Sequence, residues 1–283
     1  MSKLASIGRG ARRLFTSIPF FVVLGLVLGG VIAVVAIPRP IIATISISGA
    51  ILDQSYADDI VDTLQEARED RNVKAVVLRV DSPGGGASTT EQIYLDILRL
   101  RERKPVVTTI GTIAASGGYY AAVASNYIFA EPTSEIGSIG VWVTMPEPEP
   151  MDESTVTSGP FKASGGPTRK YLSDLETVRQ EFVGAVTLQR GDRLRASESE
   201  LSRAQIYLGV EALRYGLIDE IGTRTAAVHK AAELAGLRNY RVQDFYVPQP
   251  LPFFFFFGPS DLKDLKAQPS LMPRYYYLYF ESR

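Results

Sequence analysis

Lys74-Ala75-Val76-Val77-Leu78-Arg79-Val80-Asp81-Ser82-Pro83-Gly84-Gly85-Gly86-Ala87-Ser88 is the stretch on which the architecture turns. Residues 74–80 are apolar and largely β-branched, the pattern of a buried strand, and they stop at a proline-glycine loop. Behind the loop, residues 90–101 carry Ile93, Ile97, Leu98 and Leu100 at roughly helical spacing. Strand, short loop and helix in this order predict parallel α/β packing. A glycine loop that opens onto a helix presents unpaired N–H groups, which suit an anion or an oxyanion. It is not a phosphate loop, because no Gly-Lys-Ser/Thr follows and the G-x-G-x-x-G spacing is missing.

Upstream, residues 41–47 form a β-branched strand ended by Gly49, and residues 58–68 place Ile60, Val61, Leu64 and Ala67 on one helical face. Downstream, the strand of residues 105–110 runs into Gly111-Thr112-Ile113-Ala114-Ala115-Ser116-Gly117-Gly118-Tyr119-Tyr120. Ser116 sits at the elbow between that strand and a helix start at residues 120–124, where a sharp turn projects a hydroxyl and small neighbours admit a substrate chain. The amide of Gly117 would face a developing oxyanion. Read alone, the same turn also serves simply to pack a helix on a sheet. One helix and one strand separate this elbow from the loop after Val80, so both loops are expected at the same carboxyl edge of the sheet.

Further on, residues 127–130 read as a short strand, 134–143 as a glycine-punctuated one, and 145–157 as an acidic, proline-rich loop. Lys162 follows among apolar or small neighbours. Desolvation there would depress its pKa and make it a general base, whereas a lone loop lysine is otherwise simply solvated. Helices are expected at residues 172–194, 197–205 (with a Ser197/Glu200 capping box), 211–215 and 225–237. Five consecutive phenylalanines, residues 253–257, and the aromatic residues 275–280 end the chain as a membrane-interface segment, a docking element, a disordered tail or a flap over the core.

The 283 residues carry 30 basic and 31 acidic side chains for a net charge of −1, so no field favours nucleic acid. The absence of cysteine excludes a thiol nucleophile, disulfides and thiolate metal sites. The single histidine, His229, lies far from Ser116 in an alanine-rich helical stretch, which argues against a Ser-His-Asp triad and against a zinc site. Neither a metal nor a cofactor is expected.

Residues 14–38 contain no charge, and residues 18–37 suffice for one transmembrane helix of about 20 residues. Lys3, Arg9, Arg12 and Arg13 precede it and predict a cytoplasmic N-terminus, with the domain on the extracytoplasmic side of the cell membrane. A buried core helix and a signal peptide cleaved near Ala36 are the alternatives. The apolar run exceeds the roughly 7–15 residues of a signal-peptide core, which favours a retained anchor. The expected divisions are residues 1–17 (cytoplasmic), 18–37 (transmembrane), 41–240 (a catalytic domain) and 241–283 (an aromatic tail).

Taken together, Asp81-Ser82-Pro83-Gly84-Gly85, Ala115-Ser116-Gly117-Gly118-Tyr119-Tyr120, Ile136-Gly137-Ser138-Ile139-Gly140-Val141, Gly159-Pro160-Phe161-Lys162 and Gly216-Leu217-Ile218-Asp219-Glu220-Ile221-Gly222 occur in the order of a known family. From about residue 41 to residue 223 the chain resembles the signal peptide peptidase A family, membrane-anchored serine-lysine peptidases. The resemblance implies an α/β fold of the caseinolytic protease/crotonase type, with a parallel sheet and flanking helices, and here one N-terminal transmembrane helix. It assigns Ser116 as nucleophile, Lys162 as general base, and the amides of Gly85 and Gly117 as the oxyanion hole. It further implies peptide substrates such as remnant signal peptides, and a ring-shaped homo-oligomer whose active sites are shared between neighbours. The small residues around Ser116 predict a narrow site for small or apolar side chains. A crotonase-like acyl-CoA enzyme and an inactive membrane-tethered scaffold are the competing readings.

Overall fold

The computed structural model describes residues 18–36, 39–143, 158–159, 161, 165–248 and 275–278. It divides into two units, residues 1–39 and residues 40–283. In the first, helix α1 (Ile18–Ala36) is a single 19-residue helix without a charged side chain. Among the described residues no helix is long and apolar enough to cross a membrane, the described side chains of α1 being those of residues 18–30.

The second unit begins with β1 (Ile41–Ser48), α2 (Gln54–Glu69), β2 (Val73–Ser82), the short β3 (Gly84–Gly86), α3 (Ala87–Arg101), β4 (Val106–Ala115) and α4 (Gly117–Val123). It continues through β5 (Tyr127–Ala130), β6 (Glu135–Gly137), β7 (Trp142–Val143), α5 (Thr168–Arg190), α6 (Glu198–Leu201), β8 (Ile206–Leu208) and α7 (Gly209–Arg214). Last come β9 (Glu220–Ile221), α8 (Arg224–Leu234), β10 (Arg241–Phe245) and β11 (Tyr275–Leu278).

The main sheet has the order β10-β1-β2-β4-β5-β9 with every one of these pairings parallel. Strands β1 and β2 are buried on both faces along most of their length, which is why residues 41–47 and 74–80 read as almost continuous apolar runs. Ile41, Ala43, Ile45 and Ile47 join Val76, Leu78 and Val80 in one cluster under α2, α3 and α4. Ile42, Ala75, Val77 and Val107 face the other way, against Ala227, Ala231 and Ala232 of α8. Helix α2 starts where the Asp53 carboxylate accepts from the Ser55 amide at 2.9 Å. The capping box expected at Ser197 and Glu200 is present at the start of α6.

Strand β4 is longer than the expected residues 105–110. Its first half pairs with β5, and its second half, Ile113 to Ala115, pairs with β6. The chain is thus carried past the sheet edge as extended backbone until Ser116. Residues 134–143 do not form one strand. Gly137 and Ser138 adopt φ of 122° and 50°, which breaks the run into β6, in the main sheet, and β7, in a second sheet. That second sheet has the order β3-β11-β7 and is antiparallel. Two segments of the stretch expected as a tail therefore belong to sheets, β10 beside β1 and β11 between β3 and β7.

The C-terminal end of α5 is pinned by Arg190. Its guanidinium meets Asp219 at 2.8 and 3.0 Å and donates to the Gly216 carbonyl at 2.7 Å, with both acid and base side chains at 5% exposure or less. Asp219 also accepts from the Ile128 amide of β5 at 2.8 Å, so one carboxylate joins helix, strand and the loop before β9. Removing one partner leaves a buried charge uncompensated. Arg190→Met is expected to lower unfolding stability by about 3–5 kcal/mol in urea titration, and an unchanged midpoint would contradict this role.

Candidate active site

Ser116 is the joint between β4 and α4, with φ 51° and ψ −120°. A non-glycine residue holds such backbone angles only where its surroundings enforce them. The Ser116 amide donates to the Gly137 carbonyl at 2.8 Å, and its carbonyl accepts from the Tyr120 amide at 2.9 Å. The residue is 1% exposed. Its hydroxyl does not cap the helix it precedes.

Glycine at the next two positions is a packing requirement. A Cβ on Gly118 would collide with the Ser82 carbonyl, and one on Gly117 would lie 2.7 Å from Thr90 Oγ1. The loop after β2 is therefore pressed against the elbow, as their shared place at the sheet's carboxyl edge requires. Ser82 donates its hydroxyl to the Gly49 carbonyl at 2.6 Å and accepts from the Gly84 amide at 3.1 Å, which fixes the turn into β3. Gly84 has φ 103°, and a Cβ built there would be 2.6 Å from the Gly117 amide nitrogen. Gly85 lies one residue on, bridged to Ile51 on one side and opposite Tyr277 on the other.

Beside this elbow runs β11. Tyr276 pairs with Gly86, Tyr277 with Gly85 and Leu278 with Gly84, while Tyr275 and Tyr276 pair with Val143 and Trp142. The Tyr277 carbonyl oxygen sits where a Cβ on Gly84 would fall, and 3.0 Å from a Cβ position on Gly117. The Tyr277 ring is fully buried, 5.3 Å from the Tyr120 ring and 4.9 Å from that of Phe182. Tyr120 in turn stacks on Tyr94 at 4.6 Å. At the end of the pocket the Tyr277 hydroxyl is 3.2 Å from Glu91 Oε1 and 3.1 Å from the Val178 carbonyl. Burial pushes the Glu91 carboxyl above its ordinary pKa, opposed by the Tyr277 hydroxyl and reinforced by nearby Glu181. Burial likewise raises the hydroxyl of Tyr277.

Of the sequence-predicted residues, Ser116, Gly117 and Gly85 come together at one sheet edge. Lys162 lies outside the described residues, as do the phenylalanines at 253–257. Lys170 is held by Asp174 at 2.6 Å on an exposed helix start. His229 is exposed on α8, which covers the opposite face of the sheet from α4. Ala115, Gly117 and Gly118 serve close backbone approach, whereas α3, α4 and α5 supply a pocket that holds a tyrosine. Sequence reading gave no signal for Glu91 and Phe182, since each looks like an ordinary helix residue until β11 is laid beside it.

The model of peptidase family S49 matches residues 99–238, and that of the Clp protease family residues 42–136. A protein of Synechocystis sp. named as a candidate protease is 31% identical over 227 residues, 76% of this chain and 81% of its own. The chain belongs to peptidase family S49, the signal peptide peptidase A family. Protease 4 of Haemophilus influenzae is 33% identical over 228 residues, covering 73% of this chain. The chain spans only 37% of the length of that relative. A membrane-bound stomatin-specific protease has a similar fold, with a TM-score of 0.50 at 19% identity over 74% of this chain and 99% of its own.

The tight approach at the elbow has a measurable consequence. Gly118→Ala forces a methyl group against the Ser82 carbonyl and is expected to cost about 1–3 kcal/mol in thermal or urea unfolding. A melting curve indistinguishable from that of the parent would show that the elbow has room to spare.

Proposed function

We propose that the S49 chain is a membrane-anchored serine endopeptidase with a Ser116-Lys162 dyad, acting on remnant signal peptides or other peptides released at the bilayer. The observation that carries the reading is the backbone of Ser116, held at φ 51° beside a glycine strand that already pairs with an extended peptide segment. Peptidases bind substrate as such an added strand, main chain to main chain.

In this mechanism the neutral amine of Lys162 takes the Ser116 proton while Oγ attacks the peptide carbonyl carbon. The resulting oxyanion is stabilised by the amides of Gly85 and Gly117, a type of donor worth roughly 3 kcal/mol of barrier each. Protonated Lys162 then gives its proton to the departing amine, leaving an acyl group on Ser116. Water, deprotonated by the same lysine, attacks the ester and releases a carboxylate and free serine. Lys170, charged and paired with Asp174, takes no part.

The uncharged sequence of residues 18–37, preceded by Lys3, Arg9, Arg12 and Arg13, supports a single span with the N-terminus in the cytoplasm. The peptidase domain then works on the extracytoplasmic side. In the ring-shaped homo-oligomer proposed for it, each Lys162 serves the Ser116 of a neighbouring subunit.

Ser116→Ala and Lys162→Ala are each expected to abolish hydrolysis of a quenched peptide, and Lys170→Ala to retain it; activity lost with Lys170 and kept without Lys162 would reverse the assignment. If sites are shared, mixing Ser116→Ala with Lys162→Ala subunits restores part of the turnover. Failure to recover activity in mixed rings shown to co-assemble would refute sharing.

A further inference from the structure

Strand β4 runs in register with β2 as far as Ile110, which faces Val80, and the pairing resumes where Ala114 faces Ser82. Between these two pairs β2 has one residue, Asp81, and β4 has three, Gly111, Thr112 and Ile113. Two residues are thus taken up in a bulge. An uninterrupted ladder would set Thr112 opposite Ser82, so the bulge draws everything after it back by two strand positions, roughly 7 Å. Ser116 then stands two residues beyond the partner of Ser82, level with Gly84, whose Cβ position lies 2.6 Å from the Gly117 amide nitrogen. On its other side β4 changes partner at the same place, from Ala130 of β5 to Glu135 of β6. Bulges next to active sites re-aim the side chains that follow them.

A bulge leaves ladder groups without strand partners, and here two side chains answer them. From β2 the Asp81 carboxylate accepts from the Ile113 amide at 3.2 Å through Oδ1, while Oδ2 lies over Gly111, 3.4 Å from where a Cβ would stand. From the opposite side Ser134 donates its hydroxyl to the Gly111 carbonyl at 2.5 Å and accepts from the Glu131 amide at 3.0 Å. Ser134 is buried, so its loss would strand two backbone groups and unsettle the fold. Asp81 is exposed. Its neighbour Val80 packs into the cluster under α3 and α4, so strand alternation turns Asp81 to the other face of the sheet, away from the groove.

We propose that Asp81 is a positioning residue of the peptidase site: its carboxylate closes the bulge of β4 and thereby sets the Ser116 elbow level with the glycine loop. The proposal rests on the peptidase reading and adds a residue to the same site. Asp81 touches neither the reacting atoms nor the groove and acts only through the backbone of residues 111–115.

The test uses the full chain as parent, Asp81→Ala and Asp81→Asn. Asp81→Ala is expected to melt within a few degrees of the parent, because the side chain is exposed, while Ser116 takes up a fluorophosphonate about tenfold more slowly. On a quenched peptide the loss falls on kcat, with KM unchanged to within about twofold, since the groove itself is untouched. Asp81→Asn, whose amide oxygen still accepts from Ile113, is expected to stay within about twofold of the parent on both measures. Residue-resolved hydrogen exchange reads the clamp without any turnover: the Ile113 and Ser116 amides exchange faster in Asp81→Ala and at the parent's rate in Asp81→Asn. Acylation of Asp81→Ala at the parent's rate, a loss that appears in KM instead of kcat, or an asparagine variant as slow as the alanine one overturns the proposal. A parent that is never acylated sinks the peptidase reading, and the two amides then decide the clamp by themselves, unchanged exchange in Asp81→Ala overturning it.

Discussion

The structure depends on how closely two backbones approach each other at the end of the sheet. Gly118 lies against the Ser82 carbonyl, Gly117 against Thr90, and Gly84 against the Gly117 amide, in each case with no space for a methyl group. This contact joins the loop after β2 to the turn after β4, and it holds Ser116 at a backbone conformation that a serine would not choose. The supports lie further out. The parallel ladder β1-β2-β4 sets the height of both loops, Ser82 ties its loop to Gly49, and the Gly137 carbonyl receives the Ser116 amide from the side. Strain at the elbow is thus met by packing in the layers below it.

The same approach leaves an edge. Strand β3 is only three glycines long and offers its outer backbone groups beside the elbow, while β7 offers an edge across a one-strand gap. Exposed strand edges invite pairing, and here the invitation is answered by the chain's own residues 275–278. In the peptidase reading proposed above, the edge that pairs with β11 is also the one on which an extended substrate would lie.

Much of the architecture was legible because it is written locally. Residues 75–78 are apolar on both faces because both faces are covered, and a strand of that kind before a glycine loop is a local signal. Ser116 was legible for the same reason, since its small neighbours Ala115, Gly117 and Gly118 have a local cause. What stayed hidden depends on distant partners. Residues 134–143 look like one strand until the positive φ values of Gly137 and Ser138 send the halves to different sheets. The aromatic residues 275–280 fit a membrane interface or a flap equally well, because their partners Gly84 to Gly86 lie nearly the whole domain away in sequence. The pocket that holds Tyr277 has no local signal either, because the small residues near the serine reflect backbone contact alone. Its walls come from α3, α4 and α5.

The central claim is that the elbow serine is a reactive nucleophile in a groove that the C-terminal strand occupies. Labelling with a fluorophosphonate followed by peptide mapping tests it most directly. The account predicts a single adduct, on Ser116, formed faster in the Tyr277→Ala chain than in the parent. An adduct on another serine, or a folded protein that is never labelled in either form, would contradict it.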